Sequence, residues 1–550
     1  MSIRETNSTL GNARMSSISR AVGYHRVSDV GELILSFSRN EGRVAITYYD
    51  KGDSKSISYG QLSRKISIWG RYLRNKYQVS SGDKIIVCAD NNLSFPILAL
   101  AIMSLGAAVV PINPSSEKNM LMDILAQIDV KVAYVDADVP DDMRNIIGTF
   151  AQHILEEPIE AADYADDQSY AGAPALKQLP ALILFTSGTT GHPKGVVLSQ
   201  QAIVSNAMGM VNNFGFEKTV QMAIMPLFHA HAFGFGLMTS LLTGSHLVLM
   251  RGLQMKYWAS VMREENVEFV SMVPSLLHVI AKMNVTQDDL PSLKGVLVSS
   301  APLQKDLANS FIKNSGINLF HGWGLSEYTN FACCTKVGAE ESYYELMYQQ
   351  EKTLSIGHQL IGTEISVQNE KGTLLGENEV GELCIRGGSL MTGYYNNKVE
   401  TDKAMGGGWL RSGDLGYWLN TSAGKSFYIT GRKKEIIIRA GEKYSPMIIE
   451  SYIEKMVPSL ETGKYAVVGF ESKIFGEEIG LYIKDDGQYD KENIIEGLEV
   501  ISFEMRPKVV LFSSDDVPVT ATGKVKRNVI SQLFVNYKNY TGATKFISIN

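Results

Sequence analysis

The densest concentration of reactive side chains lies in Leu184-Phe185-Thr186-Ser187-Gly188-Thr189-Thr190-Gly191-His192-Pro193-Lys194-Gly195. An apolar run leads straight into four hydroxyls, three glycines and a lysine. Glycines let a backbone approach a phosphate chain closely, hydroxyls donate to its oxygens, and Lys194 adds positive charge. The stretch is not the nucleotide-triphosphatase P-loop, in which a Gly-Lys pair precedes Ser or Thr; here Lys194 lies between Pro193 and Gly195. Further along, Phe320-His321-Gly322-Trp323-Gly324-Leu325-Ser326-Glu327 puts an aromatic face between glycines with a carboxylate four residues on. An aromatic face suits a purine. A carboxylate near a triphosphate suits a hard cation that keeps several waters.

Together these stretches resemble the adenylate-forming superfamily, which includes acyl-CoA synthetases, peptide-synthetase adenylation domains and beetle luciferases. The further elements occur in order, and the resemblance spans roughly Gly31 to Ile530. It implies that Thr186, Ser187, Gly188, Thr189, Thr190, Gly191 and Lys194 hold the phosphates. It implies that Gly322, Trp323, Gly324 and Ser326 frame adenine, with Trp323 in place of the commoner Tyr and Ser326 in place of Thr, and that Glu327 helps hold Mg²⁺. Ser299-Ser300-Ala301-Pro302 matches the turn that meets the adenine edge, through Ser300, Ala301 and Pro302. Arg411-Ser412-Gly413-Asp414 supplies Asp414 for the ribose hydroxyls. Tyr428-Ile429-Thr430-Gly431-Arg432-Lys433-Lys434-Glu435 supplies Ile429 and Arg432 to the nucleotide and Lys434 as a hinge, with Lys433 a solvated charge. Gly441, in Gly441-Glu442-Lys443-Tyr444-Ser445-Pro446, leaves room for a pantetheine arm in a thiol tunnel. Lys524, in Pro518-Val519-Thr520-Ala521-Thr522-Gly523-Lys524-Val525-Lys526-Arg527, bridges the acid and the α-phosphate.

The chemistry so implied is activation of a carboxylic acid by ATP to an acyl-adenylate, followed by transfer to a thiol. Such a reaction needs no protein nucleophile, only alignment and charge neutralisation. Pro226-Leu227-Phe228-His229-Ala230-His231-Ala232-Phe233-Gly234-Phe235-Gly236 resembles the acyl-pocket element, with His229 beside the carboxylate and His231 and Phe233 lining the pocket. This stretch contains no Asp or Glu, so a buried ammonium would go uncompensated and an amino-acid substrate is disfavoured. A fatty or other apolar acid is expected. CoA is the leading thiol, with the phosphopantetheine of a carrier protein acting in trans as the alternative. A degenerate acyl-adenylate binder is the non-enzyme alternative, and intact Glu327, Asp414, Arg432 and Lys524 argue against it. His229-x-His231 could suggest a metal pair, but the sequence offers no third ligand. Neither a Gly-x-Ser-x-Gly nor a His-Glu-x-x-His motif occurs, which removes hydrolase and zinc-protease readings.

Positioning these groups requires a scaffold of alternating strands and helices. Lys84–Ala89, Val130–Val135, Ala181–Phe185, Ala223–Met225, His246–Met250, Phe269–Val273 and Gly295–Val298 read as buried strands. Helical patterns such as Tyr59–Asn75 and Lys305–Asn314 lie between them, predicting parallel sheets covered by helices. From Ile356 to Tyr394 the pattern changes to one suiting a small antiparallel barrel. The fold expected is α/β: a large N-terminal domain (26–431) of parallel-rich sheets plus that barrel, and a small mobile α+β C-terminal domain (432–550), after a flexible tail (1–25). The segment Tyr328–Ile356 reads as an insert on the surface. With 550 residues, more than one domain is required. A net charge of −6 argues against a nucleic-acid partner. Four cysteines without metal-ligand spacing suggest a reducing compartment, and a cytoplasmic location is expected. The apolar stretch Phe95–Ile112 approaches membrane-spanning length, but Gly106 and Pro111 divide it into a buried helix (Pro96–Leu105) and a core strand (Ala107–Pro111).

Overall fold

The computed structural model of the chain describes residues 27–155, 176–186, 193–338, 353–461, 463–520, 523–540, 542 and 544–549. Three sheets organise it. A seven-stranded sheet carries Lys84–Cys88, Ala108–Ile112, Val130–Val135, Ala151–Ile154 and Pro180–Thr186 in parallel, extended by the antiparallel strands Lys194–Ser199 and Gly393–Tyr394. Helices cover it as the sequence pattern requires. Tyr59–Tyr77 starts at a capping box formed by Ser58 and Gln61 and stops at left-handed Gln78. The apolar run divides into the fully buried helix Ser94–Ser104 and the buried strand Ala108–Ile112. Among the described residues no helix is long and apolar enough to cross a membrane.

The second, fourteen-stranded sheet has a parallel half, where Val44–Asp50, His246–Met250, Val220–Ala223, Phe269–Met272, Gly295–Val298 and Leu319–Gly324 lie side by side. The expected strand Ala223–Met225 is shifted to Val220–Ala223. Polar Gln221 interrupted the apolar run, yet it is fully buried and satisfied by the Thr239 hydroxyl, 2.9 Å from Oε1. Beyond Phe331–Cys334 the sheet turns antiparallel. Ser355–Gln359, Gly424–Arg432, Trp409–Thr421, Gly381–Gly387 and Thr363–Gln368 follow in that order. The first and last of these five are consecutive in the chain, joined by three residues, 360–362, so the ladder must curl back on itself into a near-closed barrel. The third sheet, within 437–549, has six strands with helices Pro446–Met456 and Lys491–Val500. Its edge strand Lys545–Ile549 escaped sequence reading because lysine and serine dilute its apolar pattern.

The charge run Arg432–Glu435 is divided residue by residue between these units. Arg432 closes the ladder opposite Asp414, and Lys433 reaches buried Glu382 at 3.2 Å. Glu435 instead binds Arg527, whose guanidinium also grips Glu450 through both terminal nitrogens. Lys433 thus stays exposed, as expected from sequence, but also pairs with Glu382, which is held by Arg411 and the Gly413 amide.

The two large sheets are stitched where their strand ends meet. Asn91 follows the strand Lys84–Cys88 and is almost fully buried; its amide donates to Met225 and Met250 carbonyls, and its carbonyl oxygen accepts from the Leu227 amide. Asn91→Ala leaves three buried backbone groups unpaired and is expected to destabilise the protein by about 2–4 kcal/mol. Thermal or denaturant unfolding checks this, and an unchanged midpoint would remove Asn91 from the inter-sheet joint.

Candidate functional site

Strand Leu319–Gly324 ends in the short 3₁₀ turn Ser326–Tyr328 and brings Trp323 and Glu327 to the upper edge of the parallel half-sheet. Its glycines are required by the following strand. A Cβ on Gly324 would fall 1.7 Å from the Asn330 carbonyl oxygen, and one on Gly322 would strike the Phe331 ring at 2.5 Å. Trp323 is buried to 7% exposure, and its indole Nε1 donates to Asp414 Oδ2 at 2.8 Å. Asp414 comes from the barrel strand Trp409–Thr421, and its other oxygen, Oδ1, accepts from Arg432 Nε at 2.7 Å. Ile429, on the same strand as Arg432, packs against the main core beneath. Glu327 Oε1 accepts from the Tyr394 phenol at 2.8 Å.

Thr186 and Lys194 face each other across an antiparallel hairpin, so they form the base of the loop between them. Ser187, Gly188, Thr189, Thr190 and Gly191 lie outside the described residues. Lys194 pairs with Glu400, and its ammonium stands 5.3 Å from the Tyr394 ring centroid. Together with Lys403, it holds the Glu400 carboxyl down at about 2. Tyr394 and Glu400 were not singled out in sequence. Their partners lie 67 and 206 residues away, beyond the reach of local sequence patterns.

The acyl element bends sharply. Ala230–Ala232 is helical, Phe233–Met238 is wound as a π-helix, and the helix is broken at Phe235 and at left-handed Gly236 (φ 57°). His231 Nδ1 lies 3.0 Å from Ser300 Oγ and 3.3 Å from Ser299 Oγ, linking this element to the Ser299–Pro302 turn. Ser300 adopts φ 73°, a strained value for a side-chain-bearing residue. Ala301 and Pro302 complete that turn at partial and full exposure. Phe233 is buried, and the Phe228 and His229 rings lie 4.7 Å apart. Among the described residues, Nε2 of both His229 and His231 is buried without a hydrogen-bond partner.

Lys524 arrives from the far end of the chain. Val519 and Val525 form an isolated bridge, and Thr520 closes the turn by accepting from the Gly523 amide and donating its own amide to the Lys524 carbonyl. Gly523 (φ 77°) stands at the tip against Ser275 of the large unit. The lysine keeps accessible surface but is surrounded by protein, so it stands in a cleft. Burial and then the Arg432 guanidinium push its pKa down, opposed by Asp414, Glu327 and Glu435. Burial and the Lys524 ammonium likewise push His229 down to about 4. Thus Lys524, Glu327, Asp414, Arg432 and His229 share one cleft. Gly441 does not join them: it forms the exposed turn of the hairpin Ile437–Arg439 and Glu442–Tyr444, with φ 86° and nothing within 4 Å of where a Cβ would lie. Lys434, exposed between the units, is pushed down by burial and by Lys194.

Among the described residues no group of three or more His, Cys, Asp or Glu side chains could hold a metal. A cation at Glu327 would therefore rely on water and substrate phosphates, which suits Mg²⁺. The arrangement can bind a polyphosphate at the hairpin, a diol at Asp414, and a carboxylate between His229 and Lys524.

The buried histidines set an acid limit. Burial pushes His229 and His321 down to about 4 and His231 to about 3, from 6.5. The unfolded chain then binds more protons between those values and 6.5, so stability falls as pH drops through that window. Each contributes a loss on the order of 1–2 kcal/mol by pH 5. Glu454, raised to about 7 by burial beside Asp306 and Glu450, acts with the opposite sign and offsets part of it. The melting temperature is expected to fall between pH 7 and pH 5, and a flat profile would contradict neutral burial of these imidazoles.

Residues 36–395 match the AMP-binding enzyme family. The chain is 25% identical to the probable CoA ligase CCL5 of Humulus lupulus, across 91% of this chain and 92% of that protein. It is 27% identical to 4-coumarate–CoA ligase 3 of Oryza sativa subsp. japonica, across 82% of each. ATP-bound MatB from Rhodopseudomonas palustris superposes with a TM-score of 0.79 at 21% identity, over 93% of this chain and all of that one. The chain belongs to the AMP-binding enzyme family.

Proposed function

We propose that this enzyme is an AMP-forming acid–thiol ligase that activates an apolar or weakly polar carboxylic acid and transfers the acyl group to CoA. The observation carrying this reading is the convergence of Lys524 on Glu327, Asp414, Arg432 and His229 in one cleft. CoA ligases among its relatives support the thiol assignment.

In the first half-reaction a carboxylate oxygen forms a bond to the α-phosphorus of ATP, and the bond to pyrophosphate breaks. Lys524 spans the attacking carboxylate and the α-phosphate and compensates the charge gathered there. His229, kept neutral by burial, can donate a hydrogen bond to the carboxylate without competing for its charge. Asp414 receives the ribose hydroxyls beside Arg432, Trp323 faces the base, and the Thr186–Lys194 hairpin holds the phosphates. For Lys194 to reach them it must exchange its Glu400 partner for phosphate oxygens. Glu327 would hold Mg²⁺, which supplies charge neutralisation on the departing pyrophosphate.

In the second half-reaction the thiol sulfur attacks the acyl carbon, AMP leaves, and the thiol proton passes to solvent. Lys524 must then withdraw. The proposed domains, 26–431 and 432–550, turn about Lys434, and the ion pairs on either side support that pivot: Arg432 and Lys433 hold to the large unit and Glu435 to the small one. Rotation would carry exposed Gly441 toward the cleft to line a pantetheine tunnel. The acid class is argued from the aromatic Phe228 and Phe233, two neutral histidines, and a stretch without carboxylates that could compensate an ammonium.

Lys524→Ala is expected to reduce carboxylate-dependent ATP–pyrophosphate exchange by about 10²–10³-fold while sparing thioester formation from supplied acyl-adenylate. Equal loss of both half-reactions would overturn the role given to Lys524. Exchange across fatty, aryl and amino acids, followed by product analysis with CoA, tests the whole reading. An acyl-CoA product from an apolar acid bears it out. Exchange without such a product assigns a carrier-protein acceptor, and no exchange with any acid refutes the activity.

A further inference from the structure

Trp323 does more in this structure than offer a ring face. Asp414 is 7% exposed, and each of its oxygens already takes one N–H: Oδ2 from the Trp323 indole at 2.8 Å, Oδ1 from Arg432 at 2.7 Å. A carboxylate has about four lone-pair positions. The two N–H donors therefore fix its plane and leave one position on each oxygen, the pattern a vicinal diol needs. The backbone amide of Asp414 is tied to Ser412 Oγ at 3.0 Å, which fixes the main chain but not the carboxylate plane. Arg432, with 45% side-chain exposure, is the looser of the two clamps, whereas the indole is embedded in the main core.

The indole cannot drift. Trp323 is paired opposite Cys333, and the glycines on either side admit the returning strand so closely that neither neighbour could carry a Cβ. Its ring is therefore set by the sheet, and its N–H lies on the ring edge that meets Asp414. A tyrosine in its place has no donor at that edge; its only donor is at the ring tip.

We propose that Trp323 is a positioning residue that couples the base-facing ring to the diol-reading carboxylate, so that discrimination between ribonucleotides and deoxyribonucleotides depends on its indole N–H. This rests on the nucleotide-site reading above. Without the N–H, Asp414 loses one charge-assisted hydrogen bond in a buried setting and turns toward Arg432, out of register with the diol.

The test is binding of AMP, 2′-deoxy-AMP and 3′-deoxy-AMP by calorimetry to the full chain, which needs neither the acid nor the thiol. Wild-type protein should prefer AMP, and Asp414→Asn should abolish the preference; if either fails, the ribose-site reading falls. Trp323→Phe keeps an aromatic ring and should weaken AMP about tenfold while weakening the deoxy analogues much less, so the ribose preference contracts. Uniform weakening of all three would mean that Trp323 only stacks or packs and would overturn the coupling. Should Trp323→Phe misfold, β-(3-benzothienyl)alanine introduced at position 323 retains the bicyclic shape without the N–H. Retention of the full ribose preference by that variant would equally overturn the proposal.

Discussion

The ion pair between Asp414 and Arg432 is the joint on which the site depends. Three separate parts of the chain meet there: the parallel half-sheet through Trp323, the barrel strand Trp409–Thr421 through Asp414, and the end of strand Gly424–Arg432 through Arg432. An exposed ion pair contributes little. Here Asp414 is nearly buried and receives donors on both oxygens, so removing either donor would leave a buried carboxylate less compensated. The pair also conditions the approach of Lys524, since Arg432 repels the incoming ammonium while Asp414, Glu327 and Glu435 attract it. These opposing charges hold the lysine in the cleft without locking it there, a balance that suits the entry and withdrawal proposed for it.

The same economy governs the segment around Lys434, the proposed hinge. Consecutive like charges usually form a solvated face. In Arg432-Lys433-Lys434-Glu435 each neighbour of Lys434 has its own acceptor or donor, and these belong to different units. The proposed rotation about Lys434 would leave the pairs on both sides intact. The pairs on the two sides are held differently: Glu382 is buried under Arg411, Lys433 and the Gly413 amide, and Arg527 is enclosed by Glu435, Glu450 and the Val467 carbonyl.

Much of the architecture was legible because burial leaves a periodic trace. The strands at 84–88, 130–135, 246–250 and 295–298 read directly from apolar runs, and the helix from Tyr59 from its helical pattern. The strand at Val220 did not, because buried Gln221 pairs with Thr239 and looks polar only in one dimension. The stretches bearing Trp323, Glu327, Asp414, Arg432 and Lys524 were likewise visible as local patterns of unusual chemistry. Their mutual arrangement was not. That Lys433 serves Glu382, that Tyr394 donates to Glu327 and that His231 meets Ser300 are long-range facts, and side-chain type alone cannot announce a partner many residues away.

Positive backbone φ values and unpaired buried polar atoms occur at several places among the described residues, and some of them surround the 229–236 element. Ser300 is held at φ 73°, Thr329 at 65° and Gly236 at 57°, while the imidazole Nε2 atoms of His229 and His231 have no partner among the described residues. Native interiors satisfy the large majority of buried polar atoms, and backbone outliers persist only where the surroundings over-determine them. Here the surroundings do so: Asn330 donates to the His231 carbonyl, packs against Gly234 and passes its own carbonyl beneath Gly324. One hairpin, 324–331, thus fixes both the acyl element and the residues beside Trp323. Under the proposed assignment of acyl pocket and nucleotide site, Asn330 is thus a direct packing link between the two.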